Sequence, residues 1–299
     1  MSLSIGIVGL PNVGKSTLFN ALTKKSVPAE NYPFCTIDPS VGVVAVPDER
    51  LGKLSEFSKS EKLVPAAMEF TDIAGLVKGA SEGEGLGNQF LSHIRETDAI
   101  AEIVRIFEDE NIIHVNNKID PVKDIEIINL ELVLADLQTV TKRRGSLGKE
   151  FKAGKKEAII EMGLLEKLVK ALEAGKLASS IVPNEFEAPF LKQLCLITAK
   201  PIIYVLNKKA GAKNLDEPAG EGRQDERWIE LVTFLKEINA GYVIVDAGIE
   251  QELKDMSDLD KKEMREGLGA HDDGVNDLIK KGYELLGLIT YFTTGADET

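Results

Sequence analysis

The sequence predicts an α/β fold in which a mainly parallel sheet is flanked by helices and carries an inserted helical hairpin. Six short runs rich in β-branched residues have the length of buried strands, and helix-like segments lie between most of them. This alternation is typical of a parallel sheet covered on both faces. The predicted strands cover residues 4–8, 41–46, 68–71, 100–107, 201–207 and 242–246.

The alternation stops between residues 119 and 200. Segments 124–144 and 155–178 are rich in Leu, Glu and Lys, and their apolar residues recur at helical spacing. Residues 145–148, Gly-Ser-Leu-Gly, predict a hinge that turns these helices into an antiparallel hairpin; two long crossover helices are the alternative. The predicted domains are a discontinuous α/β domain of residues 1–118 and 201–280, the inserted hairpin at 119–200, and a separate piece at 281–299.

Composition narrows the class of protein. The 299 residues are 43% hydrophobic and 28% charged, as in ordinary globular proteins. The net charge of −13 argues against broad binding to nucleic acid or anionic membrane. The basic cluster at 142–144 could touch RNA; a solvated helix end is the alternative. Cys35 and Cys195 lie far apart and form no metal-binding pattern. No leader or long apolar span is visible, so we expect a cytoplasmic protein with no membrane partner and no sequence-specific DNA partner.

A glycine-rich motif directly follows the first predicted strand. Gly9, Gly14, Lys15 and Ser16 occupy the fixed places of the pattern G-x-x-x-x-G-K-[ST]. Such a turn aims several backbone N–H groups at one phosphate, and the helix that follows adds its N-terminal dipole. Lys15 can reach the β- and γ-phosphates, and the Ser16 hydroxyl can bind Mg²⁺. The motif predicts a nucleoside-triphosphate site. Its predicted contacts are Asn12, Val13, Gly14, Lys15, Ser16 and Thr17.

Two further features are typical of a Mg²⁺-dependent nucleotide site. Asp72 follows the third predicted strand and opens a D-x-x-G pattern that ends at Gly75. The carboxylate can hold the Mg²⁺ shell through water, and the Gly75 N–H can contact a γ-phosphate. Thr36 lies between the two motifs, where its hydroxyl can complete the Mg²⁺ shell; an ordinary loop threonine is the alternative. The predicted Mg²⁺ ligands are therefore Ser16, Thr36 and Asp72.

The ends of the last two predicted strands are expected to hold the base. Residues Asn207-Lys208-Lys209-Ala210 stand where guanine-specific enzymes carry N-K-x-D, whose carboxylate pairs with the base N1–H and exocyclic amine. Ala210 leaves that clamp incomplete. Asn207 can still hydrogen-bond a purine edge, the Lys208 stem can cover a ring face, and the backbone N–H of Ala247 can reach the base.

These motifs, taken together, resemble the YchF/Obg-like ATPase family from one end of the chain to the other. The matching segments are residues 9–17, 31–34, 72–80, 107–111, 120–124 and 282–290. The resemblance implies a translation-factor-related P-loop NTPase with an inserted helical hairpin, which hydrolyses ATP and often GTP and associates with ribosomes.

The sequence departs from the family pattern in two places. Family members usually carry N-x-x-E at the base-reading position, so Ala210 leaves the choice between ATP and GTP open. They also usually continue into a C-terminal TGS domain. Residues 281–299 are therefore expected to be the start of a truncated or absent TGS domain.

The catalytic candidates are Lys15, Asn12 and His114. Leu76 follows Gly75, where Ras-like GTPases place a glutamine that orients the attacking water. A leucine cannot do this, so we expect slow hydrolysis that uses another group. Asn12 is a candidate because enzymes with Asn here can bind K⁺ near the phosphates. His114 is a candidate because imidazoles suit water positioning and proton exchange near neutral pH; a structural or exposed loop histidine is the alternative.

The function expected from the sequence is a slow Mg²⁺-dependent ATPase that acts as a ribosome-associated regulatory switch. GTP is a second expected nucleotide, and K⁺ a second expected cofactor. The alternative is a nucleotide-dependent interaction switch with promiscuous ATP and GTP binding and little intrinsic hydrolysis. A metabolic kinase would need an acceptor site and usually a lid, and the sequence marks neither.

Overall fold

The computed structural model describes residues 3–23, 40–73, 86–114, 118–218, 222–253, 256, 258–267 and 274–299. The strands are β1 Ser4–Gly9, β2 Val41–Ala45, β3 Ala67–Asp72, β4 Ala99–Arg105, β5 Phe107–Glu108, β6 Ile202–Asn207, β7 Lys213–Asn214 and β8 Gly241–Val245. The helices are α1 Lys15–Thr23, α2 Glu49–Ser58, α3 Leu86–Glu96, α4 Pro121–Lys152, α5 Lys156–Glu173, α6 Ala188–Gln193, α7 Glu226–Glu237, α8 Ala247–Leu253, α9 Asp258–Gly267 and α10 Gly274–Leu285. Within these ranges, no helix combines the length and apolar composition needed to cross a membrane.

The main sheet confirms the predicted α/β architecture. Its order is β2-β3-β1-β4-β6-β8, and among the described strands of this sheet β2 alone runs antiparallel to its neighbour. The other strands are parallel, so their carboxyl ends meet at one edge, where ligands bind in open α/β sheets. The pairing aligns Ile7 with Asp72, Arg105 with Asn207, and Asn207 with Val245.

Apolar side chains on both faces of the sheet fix this arrangement. Ile5, Ile7 and Val8 of β1 are fully buried, which explains why this strand is a continuous apolar run rather than an alternating one. Leu18 and Leu22, one helical turn apart on α1, are also fully buried. Burial of one such side chain stabilises the fold by roughly 1.5–3 kcal/mol, so the phosphate-binding turn lies between two well-anchored elements.

The chain forms two compact units. The first contains Met1–Gly75, Thr97–Val122 and Ile202–Thr299, and the second contains Leu76–Glu96 and Lys123–Pro201. The first unit includes the main sheet, and the second includes most of α4 and all of α5. The domain boundaries drawn from the sequence at 118–119 and 200–201 stay a prediction.

The hinge expected at residues 145–148 is wrong, because α4 runs without interruption from Pro121 to Lys152. Gly145 and Gly148 each weaken a helix by about 1 kcal/mol relative to alanine. Leu147 between them is 3% exposed and belongs to the core of the second unit, and this burial offsets the cost. The chain instead turns after α4 at Gly154, whose φ of 72° suits a glycine.

Residues 281–299 pack within the first unit. α10 continues to Leu285, and the last residues then lie alongside the connection between α2 and β3. The N–H of Glu61 donates to Ala296 O at 2.9 Å, and that of Val64 donates to Thr299 O at 2.8 Å. The guanidinium of Arg50 lies 4.9 Å from the centre of the Phe292 ring. The segment predicted to open a separate domain therefore makes strand-like contacts with this unit.

A buried carboxylate organises the second unit. Asp136 on α4 is fully buried and accepts hydrogen bonds from Ile197 N at 3.0 Å, Thr198 N at 2.7 Å and Thr198 Oγ1 at 2.7 Å. Burial raises the pKa of Asp136, while the hydrogen bonds and the positive charge of Arg95 oppose that rise. The carboxylate thus fastens the segment before β6 to α4.

We expect Asp136→Ala to lower the free energy of unfolding by about 3 kcal/mol, because it leaves buried backbone and hydroxyl donors without an acceptor. Urea denaturation followed by far-UV circular dichroism measures the effect. Glu185→Ala, at an exposed acidic residue of the same unit, should change the value by less than about 0.5 kcal/mol. Equal effects of the two substitutions would contradict this role of Asp136.

Candidate nucleotide-binding site

The phosphate-binding turn connects the end of β1 to the start of α1. Asn12 adopts a left-handed conformation with φ of 63°, which asparagine tolerates better than most residues, and Gly14 has φ of 102°. A Cβ at Gly14 would lie 2.3 Å from Asn207 Nδ2, so this position has no room for a side chain. The turn therefore packs tightly against the end of β6 as well as against α1.

Lys15 is held over this turn in a buried position. Its side chain is 8% exposed, and Nζ donates a 2.7 Å hydrogen bond to Leu10 O. Burial lowers the pKa of Lys15 to about 8, and the negative charge of Asp72 opposes the shift. A phosphate group at this place would supply the counter-charge that favours the protonated lysine.

Ser16 and Asp72 come together beside Lys15. The end of β3 places the half-buried Asp72 next to the Ser16 hydroxyl, which hydrogen-bonds to its carboxylate. Burial raises the pKa of Asp72, while Lys15 and the Ser16 hydrogen bond lower it. A hydroxyl and a carboxylate are hard oxygen ligands that fit Mg²⁺.

The remaining ligands of such an ion would come from elsewhere. Within the described ranges, no group of three or more His, Cys, Asp or Glu side chains could hold a metal by itself. A Mg²⁺ ion held through Ser16 and Asp72 would therefore take further oxygens from phosphates and water. The other predicted phosphate and Mg²⁺ contacts, Thr36 and Gly75, lie outside the described residues.

Asn207 joins the phosphate-binding turn to the start of α8. Its Nδ2 donates to Val13 O at 2.8 Å, and its Oδ1 accepts from the N–H of Ala247 at 3.0 Å. The side chain is only 5% exposed. Two groups expected to face the base, the Asn207 Oδ1 and the Ala247 N–H, thus bind each other. Asn207 Nδ2 carries a second hydrogen, which can be donated to a nitrogen of the purine.

A pocket of about 400 Å³ extends from the phosphate-binding turn along the ends of β6 and β8. It brings most of the predicted contact residues together, whereas Val13 contributes its carbonyl to Asn207 instead. The pocket is lined by Asn12, Gly14, Lys15, Ser16, Thr17, Phe107, Ile112, Asn207, Lys208, Lys209, Asp246, Ala247 and Gly248.

His114 does not line this pocket. Its side chain is 6% exposed, whereas the preceding Ile113 is 74% exposed. The carbonyl of Ile113 accepts a 3.1 Å hydrogen bond from Asn12 Nδ2. The two catalytic candidates Asn12 and His114 are therefore linked through the backbone of Ile113, and His114 would have to turn outward to reach a phosphate.

One residue that the sequence patterns did not single out shapes the loop before His114. Arg105, at the end of β4, is 1% exposed and donates to the carbonyls of Phe107, Asp109 and Ile112 at 3.0, 3.1 and 3.1 Å. Its guanidinium also lies 4.4 Å from the centre of the Phe107 ring. A cation inside a predicted buried strand was the available signal, since such a charge needs several acceptors.

Asp246 was also missed as a residue that lines the pocket. It follows β8 directly, and its carboxylate accepts from Ala210 N at 2.6 Å and from Ile249 N at 3.0 Å. The available signal was a carboxylate at the carboxyl end of a predicted parallel strand.

A parallel sheet with this turn at its carboxyl edge is the architecture of P-loop NTPases of the GTPase fold class. Comparison with known proteins agrees. The sequence profile of a family described as 50S ribosome-binding GTPase matches residues 4–142.

Relatives that match this chain over its whole length identify the family within that class. "Ribosome-binding ATPase YchF" of Bacillus subtilis is 50% identical over 298 residues, which cover 100% of this chain and 80% of the relative. The protein of the same name from Escherichia coli O157:H7 is 44% identical over 299 residues, with the same coverage. The solved structure of the Schizosaccharomyces pombe YchF GTPase has a TM-score of 0.80 at 38% identity and covers 99% of this chain and 79% of its own. The chain belongs to the YchF family.

The buried Lys15 predicts a pH-dependent affinity for nucleotide. Without nucleotide, its pKa is about 8, and phosphate binding requires the protonated form. Binding above that pH must take up a proton, so affinity should fall as pH rises, by up to about tenfold per pH unit. Fluorescence titration of Mg²⁺-ATP from about pH 7 to about pH 9.5 measures the slope.

Lys15→Arg is the matched control, because an arginine stays protonated over this range. Whatever affinity this variant retains should be independent of pH. A flat profile in the unsubstituted protein would show that Lys15 is already protonated before nucleotide binds.

Proposed function

We propose that this protein is a Mg²⁺-dependent ATPase, with GTP as a second substrate, that hydrolyses nucleotide slowly and works as a ribosome-associated regulatory switch. The observation that carries the proposal is the convergence of Lys15, Ser16 and Asp72, since Lys15 and Ser16 line one end of the pocket and Asp72 interacts with both. Relatives at 50% and 44% identity are named ribosome-binding ATPases, which supports both the reaction and the partner. Ribosome association would place the protein in the cytoplasm.

Each residue of the turn has a chemical task in this proposal. Lys15 and the N–H groups of the turn stabilise charge on the β- and γ-phosphates, while Ser16 and Asp72 hold Mg²⁺. Asn12 donates through Nδ2 to Ile113 O, which leaves its Oδ1 as an oxygen ligand for K⁺ near the phosphates. The cation would offset charge that develops on the phosphates as water attacks.

The residues around the proposed phosphate site support slow hydrolysis. Leu76 occupies the place of the water-orienting glutamine in Ras-like enzymes, and it lies outside the described residues. His114 is buried away from the pocket in this conformation. Turnover would therefore require an outward rotation of His114, and a ribosomal partner could promote that rotation by binding the exposed Ile113.

A second candidate function is a nucleotide-dependent interaction switch with little hydrolysis of its own. The burial of His114 favours it, since no histidine lines the described part of the pocket. The two candidates differ in one observable quantity. Ribosomes should raise the turnover of a regulated ATPase, whereas a pure switch should bind them in a nucleotide-dependent way without a rise.

The first test is a side-by-side titration with ATP and GTP in the presence of Mg²⁺, followed by turnover with and without ribosomes in K⁺ or Na⁺ salts. We expect saturable binding of both nucleotides, and faster turnover with ribosomes and with K⁺. Lys15→Ala should weaken binding at least about tenfold, because it removes the charge at the phosphates. An absence of saturable binding would overturn the proposal. Binding without ribosome-dependent turnover would favour the pure switch.

We expect His114→Ala to lower turnover by about 100-fold, the lower range for loss of a group that positions or deprotonates water, while nucleotide affinity stays within about twofold. Single-turnover hydrolysis together with equilibrium binding separates the two quantities. His93→Ala is the control, because His93 is exposed on α3. Unchanged hydrolysis in His114→Ala would exclude His114 from the mechanism.

A further inference from the structure

The end of the pocket opposite the phosphate-binding turn carries a negative charge. Asp246 is the only carboxylate among the described residues that line the pocket, and its residue is 8% exposed. It lies beside Ala247 and Gly248 on one side and Lys208 and Lys209 on the other. These residues follow the ends of β8 and β6, where the sequence analysis places the base.

Two backbone hydrogen bonds fix the orientation of this carboxylate. Oδ1 accepts from Ile249 N at 3.0 Å, as in an N-cap of α8, and Oδ2 accepts from Ala210 N at 2.6 Å. The second bond brings the carboxylate to the backbone of the position whose acidic side chain reads the base in N-K-x-D enzymes. Each oxygen of an ionised carboxylate can accept a further hydrogen bond, so these two bonds do not exhaust it.

Two polar groups near Asp246 are paired with other residues, so Asp246 is the side chain that can bind the base. The Lys209 ammonium forms an ion pair with Asp109. The Ala247 N–H donates to Asn207 Oδ1. A purine base that enters this end of the pocket presents N–H donors on its polar edge, and Asp246 is the acceptor of matching charge among the described lining residues.

We propose that Asp246 is a specificity-determining residue that reads N–H donors on the purine edge in place of the acidic residue missing at position 210. The inference rests on the proposed nucleotide site. Guanine offers two adjacent donors, N1–H and the C2 amine, whereas adenine offers only its C6 amine. The carboxylate therefore lets the site accept GTP alongside ATP, and it rejects xanthine, whose C2 oxygen faces it.

The competing role is a purely structural one, in which Asp246 only caps α8 and holds the loop at Ala210. Asp246→Ser keeps the N-cap of α8 but removes the two acceptors that a base would need. The loss of the bond to Ala210 should affect all nucleotides alike, whereas the loss of base reading should change only their relative affinities. Asp246→Asn complements it, since an amide offers a donor to the xanthine C2 oxygen. The double variant Asp246→Ser with Ala210→Asp restores an acidic residue at the position used by N-K-x-D enzymes.

The experiment measures the affinities of ATP, GTP, ITP and XTP for these variants and for the unsubstituted protein, each with Mg²⁺. ITP is GTP without the C2 amine, so the ratio of GTP to ITP affinity isolates that contact. We expect the unsubstituted protein to bind GTP about tenfold more tightly than ITP. Asp246→Ser should bring the ratio close to one, the double variant should restore it, and Asp246→Asn should gain about tenfold in XTP affinity.

Circular dichroism melting and ATP affinity show whether each variant is folded with an intact phosphate site. A ratio that is the same in Asp246→Ser and the unsubstituted protein, with no gain of XTP binding in Asp246→Asn, would overturn the inference and leave the proposed function standing. If the unsubstituted protein bound no nucleotide better than Lys15→Ala does, both the proposed function and this inference would be overturned.

Discussion

The hydrogen bonds of the Asn207 side chain hold together three segments that are remote in sequence. One side-chain amide connects the carbonyl of Val13 in the phosphate-binding turn with the N–H of Ala247 at the start of α8. Because Gly14 packs against the same amide, the turn cannot shift without breaking these contacts. The Asn207 side chain is buried, and both its Nδ2 and its Oδ1 are hydrogen-bonded. The orientation of the N–H groups of the turn depends on these bonds, and so does the shape of the adjoining pocket.

The site concentrates positive charge in a protein that is acidic overall. The net charge is −13, so an anion is attracted by the local arrangement rather than by the whole surface. Lys15 is buried without enough counter-charge, as its lowered pKa shows, and Asp72 is buried with a raised one. Both side chains lack what a phosphate and a divalent cation would supply. A nucleotide phosphate with its divalent cation, as proposed above, would supply both missing charges together.

The parts of the fold that follow from local signals could be predicted from the sequence. The β-branched runs and the fixed spacing of Gly9, Gly14 and Lys15 gave the sheet and the turn within a residue or two. The hinge at 145–148 failed, because the packing of Leu147 outweighs two helix-weakening glycines. Asp246 was missed because its partner Ala210 lies at the end of another strand, remote in sequence. Arg105 was missed because its acceptors are backbone carbonyls of the irregular loop that follows it, and such carbonyls leave no pattern in the sequence. The roles of Thr36 and Gly75 stay predictions, as does that of His114.

The first compact unit is assembled from three stretches of chain, and the two stretches of the second unit lie between them in the sequence. The turn around Val13 is synthesised before Ala247, which completes the Asn207 bridge and lies far later in the chain. The contacts of α4 with α5 are more local and can form sooner. A nascent chain that ends before Ala247 would contain the phosphate-binding motif but not the finished pocket. Competence to hold nucleotide would thus come only after α8 has been synthesised.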